Sequence, residues 1–315
     1  MTPTVSVILP TFNRLEYLRP AIESVFGQTF QDWELIVADD GSDEETRAYL
    51  KDIGRRPRVK LVWLRHTGYP SRVRNAALRE AEGAYVAFLD SDDIWIPGKL
   101  DVQLESIRSR PACHWSYTGF HLVDDAGNPL RVQPADSWIP CNGWIFERLL
   151  RMELIVATPS VVASRRLVLE LSGFDDEQHA CEDYDLWLRL AMNSEADAVT
   201  EPLVCIRRHG EHYSKDADAF IGRERSLAKM QRLCADPRLT SQIQRERAKN
   251  AVGLSRSYFA AGNPMTALTT LVRSYPYSWV FPQWWTGALA TIARASSPSS
   301  LRKAVNGYRA RKRSS

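Results

Sequence analysis

A chain of 315 residues, 44% hydrophobic and 25% charged, is long enough for one large α/β domain with an appendage or for two domains, and its ordinary composition sets disorder aside. The net charge of +3 is unevenly spread: eleven Lys and Arg and no acid follow Glu246, while residues 1–246 carry a net −8, so the two parts face different partners. Five scattered cysteines without a CxxC pair argue against a disulfide framework and suit a reducing cytosol; the N-terminal run reads as a strand rather than a signal peptide, and no apolar stretch reaches the ~18 residues of a helical membrane span.

The chain opens on TVSVILP (4–10), a β-branched run ending at Pro10. Leu15, Leu18, Ile22 and Val25 then recur at helical spacing. Pro20 predicts a kink or a late start in that helix. WELIVADDGSDEETRAYLKDI repeats the plan, with a strand at 33–38, an Asp-Gly-Ser break, and a helix begun by Ser42 or Asp43 with Glu44 and Glu45 in its first turn. A third unit predicts strand 59–64 and helix 71–82, and a fourth predicts strand 84–89 and helix 97–108. Such a β-α series implies a mostly parallel sheet covered by helices, with ligands at the carboxyl ends of the strands. Past Pro111 an Asp-Ala-Gly-Asn turn between β-rich runs predicts a hairpin. Helix 143–152, strand 155–163, helix 165–171, the loop GFDDEQHAC and the helix EDYDLWLRLAMN follow. Long charged helices occupy 217–261, a Trp- and Pro-rich region 263–295, and a Ser-rich basic end 296–315, which is expected to fray.

YVAFLDSDD (85–93) stops an apolar run on Asp90, Asp92 and Asp93, with Ser91 between them. Carboxylates this close repel one another and resist desolvation, so they suit a hard divalent cation; a solvated acidic turn before the next helix is the plainer alternative. Thr11 and Asn13 after the first strand, Asp39 and Asp40 after the second, and Arg74-Asn75 on the third helix gather at the same sheet edge. Any one Asp there could cap a helix, but their recurrence on one edge points to a ligand. Glu182-Asp183 open an amphipathic helix, where a carboxylate either caps the N-terminus or, facing a pocket, serves as a general base. CIRRHGEHYS then brings Arg207, Arg208, His209, His212 and Ser214, either a solvated basic loop or cations that neutralise a diphosphate leaving group.

In their order and spacing VSVILPTFNR, WELIVADDGSDEET, RNAALREAEGAYVAFLDSDDIWIPGKL, ATPSVVASRR, GFDDEQHACEDYDLWLRL and RRHGEHYS resemble the family 2 inverting glycosyltransferases of the GT-A fold, over about residues 3–215. The resemblance implies an α/β fold: a Rossmann-like, mostly parallel sheet flanked by helices. It implies a catalytic domain over 1–215, with a nucleotide-binding half at 1–110 and an acceptor half at 111–215, followed by a helical C-terminal region at 216–315. By the same resemblance Asp39 or Asp40 holds the nucleobase, Thr11 and Arg74 hold the nucleoside side of the donor, and Pro10, Asn13 and Ser91 belong to that donor set. Asp90 meets the ribose or the metal, and Asp92 ligates a divalent ion, Mn²⁺ or Mg²⁺. Asp183 is the base, with Glu182 one residue earlier as its alternative. His209, with Arg207 and Ser214, matches a loop closing on the diphosphate, and His209 is a further metal ligand. One departure is plain: the family's Gly-rich run before the Arg-Asn pair is reduced here to Gly68.

These roles imply metal-dependent in-line displacement with inversion, from a UDP- or dTDP-linked sugar to a hydroxyl of a glycan or lipid-linked oligosaccharide, in cell-surface polysaccharide assembly. A nucleotidyltransferase would want a Gly-rich basic loop after the first strand, which PTFNRLEY lacks, and a NAD-dependent dehydrogenase would want GxGxxG there. A sugar-nucleotide-binding scaffold on the same fold would tolerate loss of Asp183. At the C-terminal end, Tyr275, Tyr277, Trp279, Phe281, Trp284 and Trp285 followed by cations point either to a cap packed on the catalytic domain or to an anionic membrane surface. The expected location is cytoplasmic, peripheral on the cytosolic membrane face; no nucleic-acid recognition motif is present.

Overall fold

The computed structural model describes residues 2–130, 139–208 and 216–295. The chain forms two compact units, Met1–His212 and Tyr213–Ser315.

The first unit is built on a sheet ordered β3-β2-β1-β4-β7-β6-β8-β5. Its first half comprises β1 (Val5–Thr11), β2 (Trp33–Asp39), β3 (Val59–Trp63) and β4 (Tyr85–Phe88), paired in parallel. β1 and β2 are buried along nearly their whole length, which is why they read as mostly apolar runs; the two polar interruptions, Ser6 and Glu34, satisfy each other, the Ser6 hydroxyl donating to Glu34 at 2.6 Å. Helices α1 (Leu15–Phe26), α2 (Glu44–Ile53) and α3 (Pro70–Arg79) connect these strands. Pro20 lies inside α1 without delaying its start, so the Glu16 carbonyl forgoes its usual partner. Asp43, not Ser42, caps α2, its carboxylate accepting from Thr46 N at 2.9 Å. The strand order reverses between β1 and β4, which opens a crevice at their carboxyl ends.

The second half adds β5 (Ile94–Trp95), α4 (Lys99–Ser109), β6 (Cys113–Val123), α5 (Phe146–Leu150), a single 3-10 turn (Thr158–Ser160), β7 (Val161–Ser164), α6 (Arg165–Glu170), α7 (Glu182–Asn193) and β8 (Glu195–Arg207). β7 runs antiparallel to β4 and β6, β8 parallel to β6, and β5 antiparallel to β8. The expected strand at 155–163 is thus shorter and starts later, behind the 3-10 turn, and α5 is half the expected helix. Of the expected hairpin the described residues show a turn at 124–127, an antiparallel bridge between Val123 and Pro129, and Leu130 N donating to the Leu122 carbonyl at 2.9 Å; residues 131–138 lie outside the description. β8 was not foreseen. Its sequence EADAVTEPLVCIR carries acids and Pro202, and the strand accommodates that proline opposite Gly119, where the β6–β8 register shifts on both sides.

Val7, Leu9, Leu35, Ala87, Trp95, Leu100 and Val162 belong to one continuous core. At its rim the Trp95 indole N–H donates to the Pro159 carbonyl at 2.8 Å. Lys99 is fully buried, its Nζ 4.2 Å from the Trp95 ring centroid and, among the described residues, without a hydrogen-bond partner; burial pushes its pKa well down.

The second unit is helical: α8 (Asp216–Leu233), α9 (Pro237–Ala260), α10 (Pro264–Ser278) and α11 (Pro282–Ala295). Proline opens the last three, where its missing N–H costs nothing. Ala248 and Val252 of α9, Leu271 of α10 and Trp284 and Ala288 of α11 form its own core. A Cβ on Gly287 would come within 2.6 Å of Val252 Cγ1, so glycine is what lets α11 approach α9.

Candidate active site

The ends of β1 and β2 are tied together by side chains the sequence had assigned to a ligand. Asn13 and Arg14 are successive left-handed residues (φ 56° and 58°). Asn13 N donates to Ser42 Oγ at 2.7 Å, and its side-chain oxygen accepts from Asp43 N at 2.9 Å. Thr11 is buried, its hydroxyl 3.5 Å from the Asn13 carbonyl, and Pro10 sits beside Ala38 in the β1–β2 register. Asp39 accepts from Ser42 N at 3.0 Å and from Arg47 Nε at 3.1 Å. Asp40 accepts from Thr67 N at 2.8 Å and Gly68 N at 3.0 Å, with His66 Nδ1 3.1 Å away. Against this edge Phe12 and His66 stack at 4.1 Å, and Phe12 stays open to solvent. Both rings escaped the sequence reading, though Phe12 sits inside its TFNR block.

At the end of β4 the three acids part ways. Asp93 turns inward and accepts from Arg207 N at 3.0 Å; burial, with Asp92 and Asp90 adding to it, holds its pKa well above the usual carboxylate range. Asp90 and Asp92 remain half-buried at the crevice with Ser91 between them. Asp90 accepts from Arg74 Nη2 at 2.6 Å, and Asp92 pairs with Arg14 Nη1 at 3.1 Å. Desolvation raises the Asp90 pKa, with Asp92 adding to the rise and Arg74 opposing it. Arg14 thus reaches the candidate site, although sequence reasoning did not single it out.

Arg74 joins the two halves of the site. Its Nη1 donates to Glu182 at 2.7 Å while Nη2 holds Asp90, and the two carboxylates raise its pKa against the cost of burial. Among the described residues its buried Nε has no hydrogen-bond partner. Asn75, its neighbour on α3, donates to the Phe174 carbonyl at 2.7 Å and to Asp176 at 2.8 Å, and accepts from Phe174 N at 2.9 Å. Ser71 adds a bond to the Gln178 carbonyl at 3.1 Å. The Arg-Asn pair therefore fixes the loop that delivers the first turn of α7. There Asp183 accepts from Thr158 Oγ1 at 3.0 Å and from Tyr184 N at 2.7 Å. Burial and the adjoining Glu182 push its pKa up to about 6, against the opposing pull of its hydrogen bonds and Arg74.

Arg207 is brought to the same end of the sheet. Its Nε donates to the Asp92 carbonyl at 3.2 Å, its Nη1 to the carbonyls of Asp124 and Asp125, and its guanidinium lies 5.1 Å from the Tyr17 ring centroid. In this arrangement it braces the Asp90–Asp93 turn. His209 and Ser214 lie outside the described residues.

Among the described residues no three His, Cys, Asp or Glu form a ready cation cage. Asp90 and Asp92 nevertheless fit a hard divalent ion: they offer oxygen donors half-buried at the crevice, they repel each other, and they would hold such an ion there.

A parallel α/β sheet joined to a mixed half, with carboxylates at the switch point, is the architecture of GT-A proteins. It aligns with S. aureus TarS 1–349 in complex with UDP-GlcNAc at a TM-score of 0.67 and 20% identity, over 86% of this chain and 81% of that one. The mannosyltransferase PcManGT from Pyrobaculum calidifontis, in complex with GDP-Man and Mn²⁺, aligns at 0.59 and 20% identity over 97% and 88%. Residues 6–151 match the family model described as Glycosyl transferase family 2. The chain is 30% identical over 216 residues to the Escherichia coli UDP-Glc:alpha-D-GlcNAc-diphosphoundecaprenol beta-1,3-glucosyltransferase WfgD, covering 69% of this chain and 81% of that protein. It is 41% identical over 129 residues to TuaG of Bacillus subtilis, a glycosyltransferase by name, covering 41% of this chain and 51% of that protein. The chain thus belongs to glycosyl transferase family 2, while its match spans about half the length of TuaG.

Proposed function

We propose that the chain is an inverting glycosyltransferase that moves a sugar from a nucleoside diphosphate to a hydroxyl of a lipid-linked or glycan acceptor. The observation that carries this reading is the Arg74 bridge, which brings the Asp90–Asp92 pair and the Glu182–Asp183 pair to opposite sides of one guanidinium. Asp183, with its pKa near 6, is ionised at neutral pH yet basic enough to take the proton of an acceptor hydroxyl. As that oxygen bonds to the anomeric carbon from one face, the diphosphate departs from the other. His209, on the segment that follows β8, neutralises the charge that develops there, while Arg74 serves the nucleoside side of the donor. A divalent cation held by Asp92 and Asp90 would supply further neutralisation as a Lewis acid when bound. Asp39 or Asp40 reads the base at the β2 end, and the exposed Phe12–His66 stack offers it a flat apolar neighbour.

The names of WfgD and of the TarS complex favour a UDP-linked donor, and that of WfgD favours a diphospholipid-linked acceptor. On this reading residues 1–215 carry the transfer and 216–315 form an accessory helical region, at the cytosolic membrane face. The test is a screen of nucleotide sugars for released nucleoside diphosphate with Mn²⁺, Mg²⁺ or chelator. Release from a UDP- or dTDP-sugar that depends on the cation and on Asp183 is expected. Donor binding with no release, unchanged by Asp183→Asn, would instead identify a sugar-nucleotide-binding scaffold.

A further inference from the structure

α10 and α11 each have two faces. One carries Leu271, Trp284 and Ala288 into the core of the second unit. The other leaves Val272, Trp279 and Leu289 exposed at 71%, 53% and 61%. Tyr275 and Trp285 join this outer face, their rings 6.1 Å apart, and the Trp285 indole donates to the Trp279 carbonyl at 2.8 Å, so the two helices present one continuous patch. Helical spacing explains the sorting: Trp279, which caps the C-terminal end of α10, stands seven residues after Val272, and Trp285, Leu289 and Ile292 fall at i, i+4 and i+7 on α11. Contiguous exposed apolar surface of this kind marks an interaction site.

We propose that this outer face of α10 and α11 docks on an anionic lipid surface. Charge selects the occupant. Every charged residue after Glu246 is a cation, and Arg256 and Arg273 are exposed on α9 and α10. A second copy meeting this face symmetrically would set cation against cation, whereas anionic headgroups complement the same charges. Tryptophan and tyrosine, with an apolar body and a polar edge, suit the headgroup boundary. No described helix is long and apolar enough to cross a membrane, so the helices lie along it. Nothing in this proposal depends on the transfer chemistry.

The test uses the full chain with phosphatidylcholine vesicles with and without phosphatidylglycerol, read by co-sedimentation across a salt series. Wild type is expected to sediment with the anionic vesicles, less so as salt rises, and its tryptophan emission to be quenched by bromine-labelled lipid. Val272→Gln/Trp279→Gln/Leu289→Gln is expected to lower partitioning at least ~10-fold with unchanged helical circular dichroism. If that triple variant unfolds, Leu289→Gln alone, at the most exposed of the three α11 contacts, carries the comparison and should still weaken binding. Equal partitioning of variant and wild type overturns the proposal, as does wild type that ignores vesicles or shows no quenching. A wild-type dimer that the variant turns into monomer, without vesicle binding, assigns the face to a second copy instead.

Discussion

The Asp183 carboxylate is held near pH 6 when its ordinary value is 3.8, so the folded chain binds that proton more tightly than the unfolded chain does. Its contribution to stability is therefore fully present below about 4 and lost as pH rises through about 6, at most on the order of 3 kcal/mol. Asp183→Asn is expected to raise the thermal midpoint at pH 8 and to lose that advantage at pH 4, while transfer falls ~10²-fold or more. An equal midpoint shift at both pH values would mean that the carboxylate is not strained, and collapse on Glu182→Gln alone would move the base one residue earlier. The acid limb of kcat/KM should fall near pH 6. Asp92 carries a different expectation. Asp92→Asn should abolish any gain in UDP affinity from Mn²⁺, whereas Arg14→Gln, by removing a competing cation 3.1 Å away, should tighten binding of Mn²⁺ alone roughly fivefold, a gain of about 1 kcal/mol. Mn²⁺ titration followed by electron paramagnetic resonance reads both, and weaker binding in Arg14→Gln would contradict the competition. Asp90, Asp92 and Asp183 were legible because each sits in a block whose whole pattern is distinctive. Arg14 was not. A lone cation in a turn looks like solvated surface until the sheet order brings it to an acid 78 positions away.

α3 acts on the site mainly through what it holds. Asn75 satisfies three groups of the loop before α7, and Gly173 in that loop has φ 63°, with a Cβ there reaching 2.6 Å from Asn75 Oδ1. Asn75→Ala should cost about 2–4 kcal/mol, since buried partners are left unpaired. Gly173→Ala should cost about 1–3 kcal/mol through its left-handed backbone and the clash. Both should depress kcat while nucleotide affinity stays near normal, because the displaced element carries Glu182 and Asp183; a loss confined to nucleotide affinity would place the loop's role on the donor side. The sequence made the β-α units up to α4 readable, since β-branched apolar strands and helices with apolar residues at helical spacing are both encoded within a dozen residues, although only α2 of these helices carries a side-chain N-cap. β7 was readable as a strand but not in its start, which a 3-10 turn delays, whereas β5 is only two residues long and β8 mixes acids with Pro202 on a bulged pairing, so nothing local distinguishes those two from loop. Their strand character is supplied by partners distant in sequence.

At the scale of the whole chain the uneven charge was visible at once, but the sorting of the aromatics was not. Trp284 is spent inside the second unit while Trp279 and Trp285 face out, and only the helix phase decides between them. With a separate core in each unit, calorimetry is expected to resolve two unfolding transitions. UDP with Mn²⁺ at ~100 times its Kd should raise only the transition of the first unit, by about 2.7 kcal/mol; movement of both together would show that the units unfold as one. Lys99 offers a way to watch the first unit breathe. An amine shut away over Trp95 cannot meet an acylating reagent until α4 lifts from the core, whereas exposed Lys51 can be labelled at once. The lag between the two in mass spectra, divided out against their rates in the unfolded chain, becomes a clock for openings too rare to alter any average property of the fold.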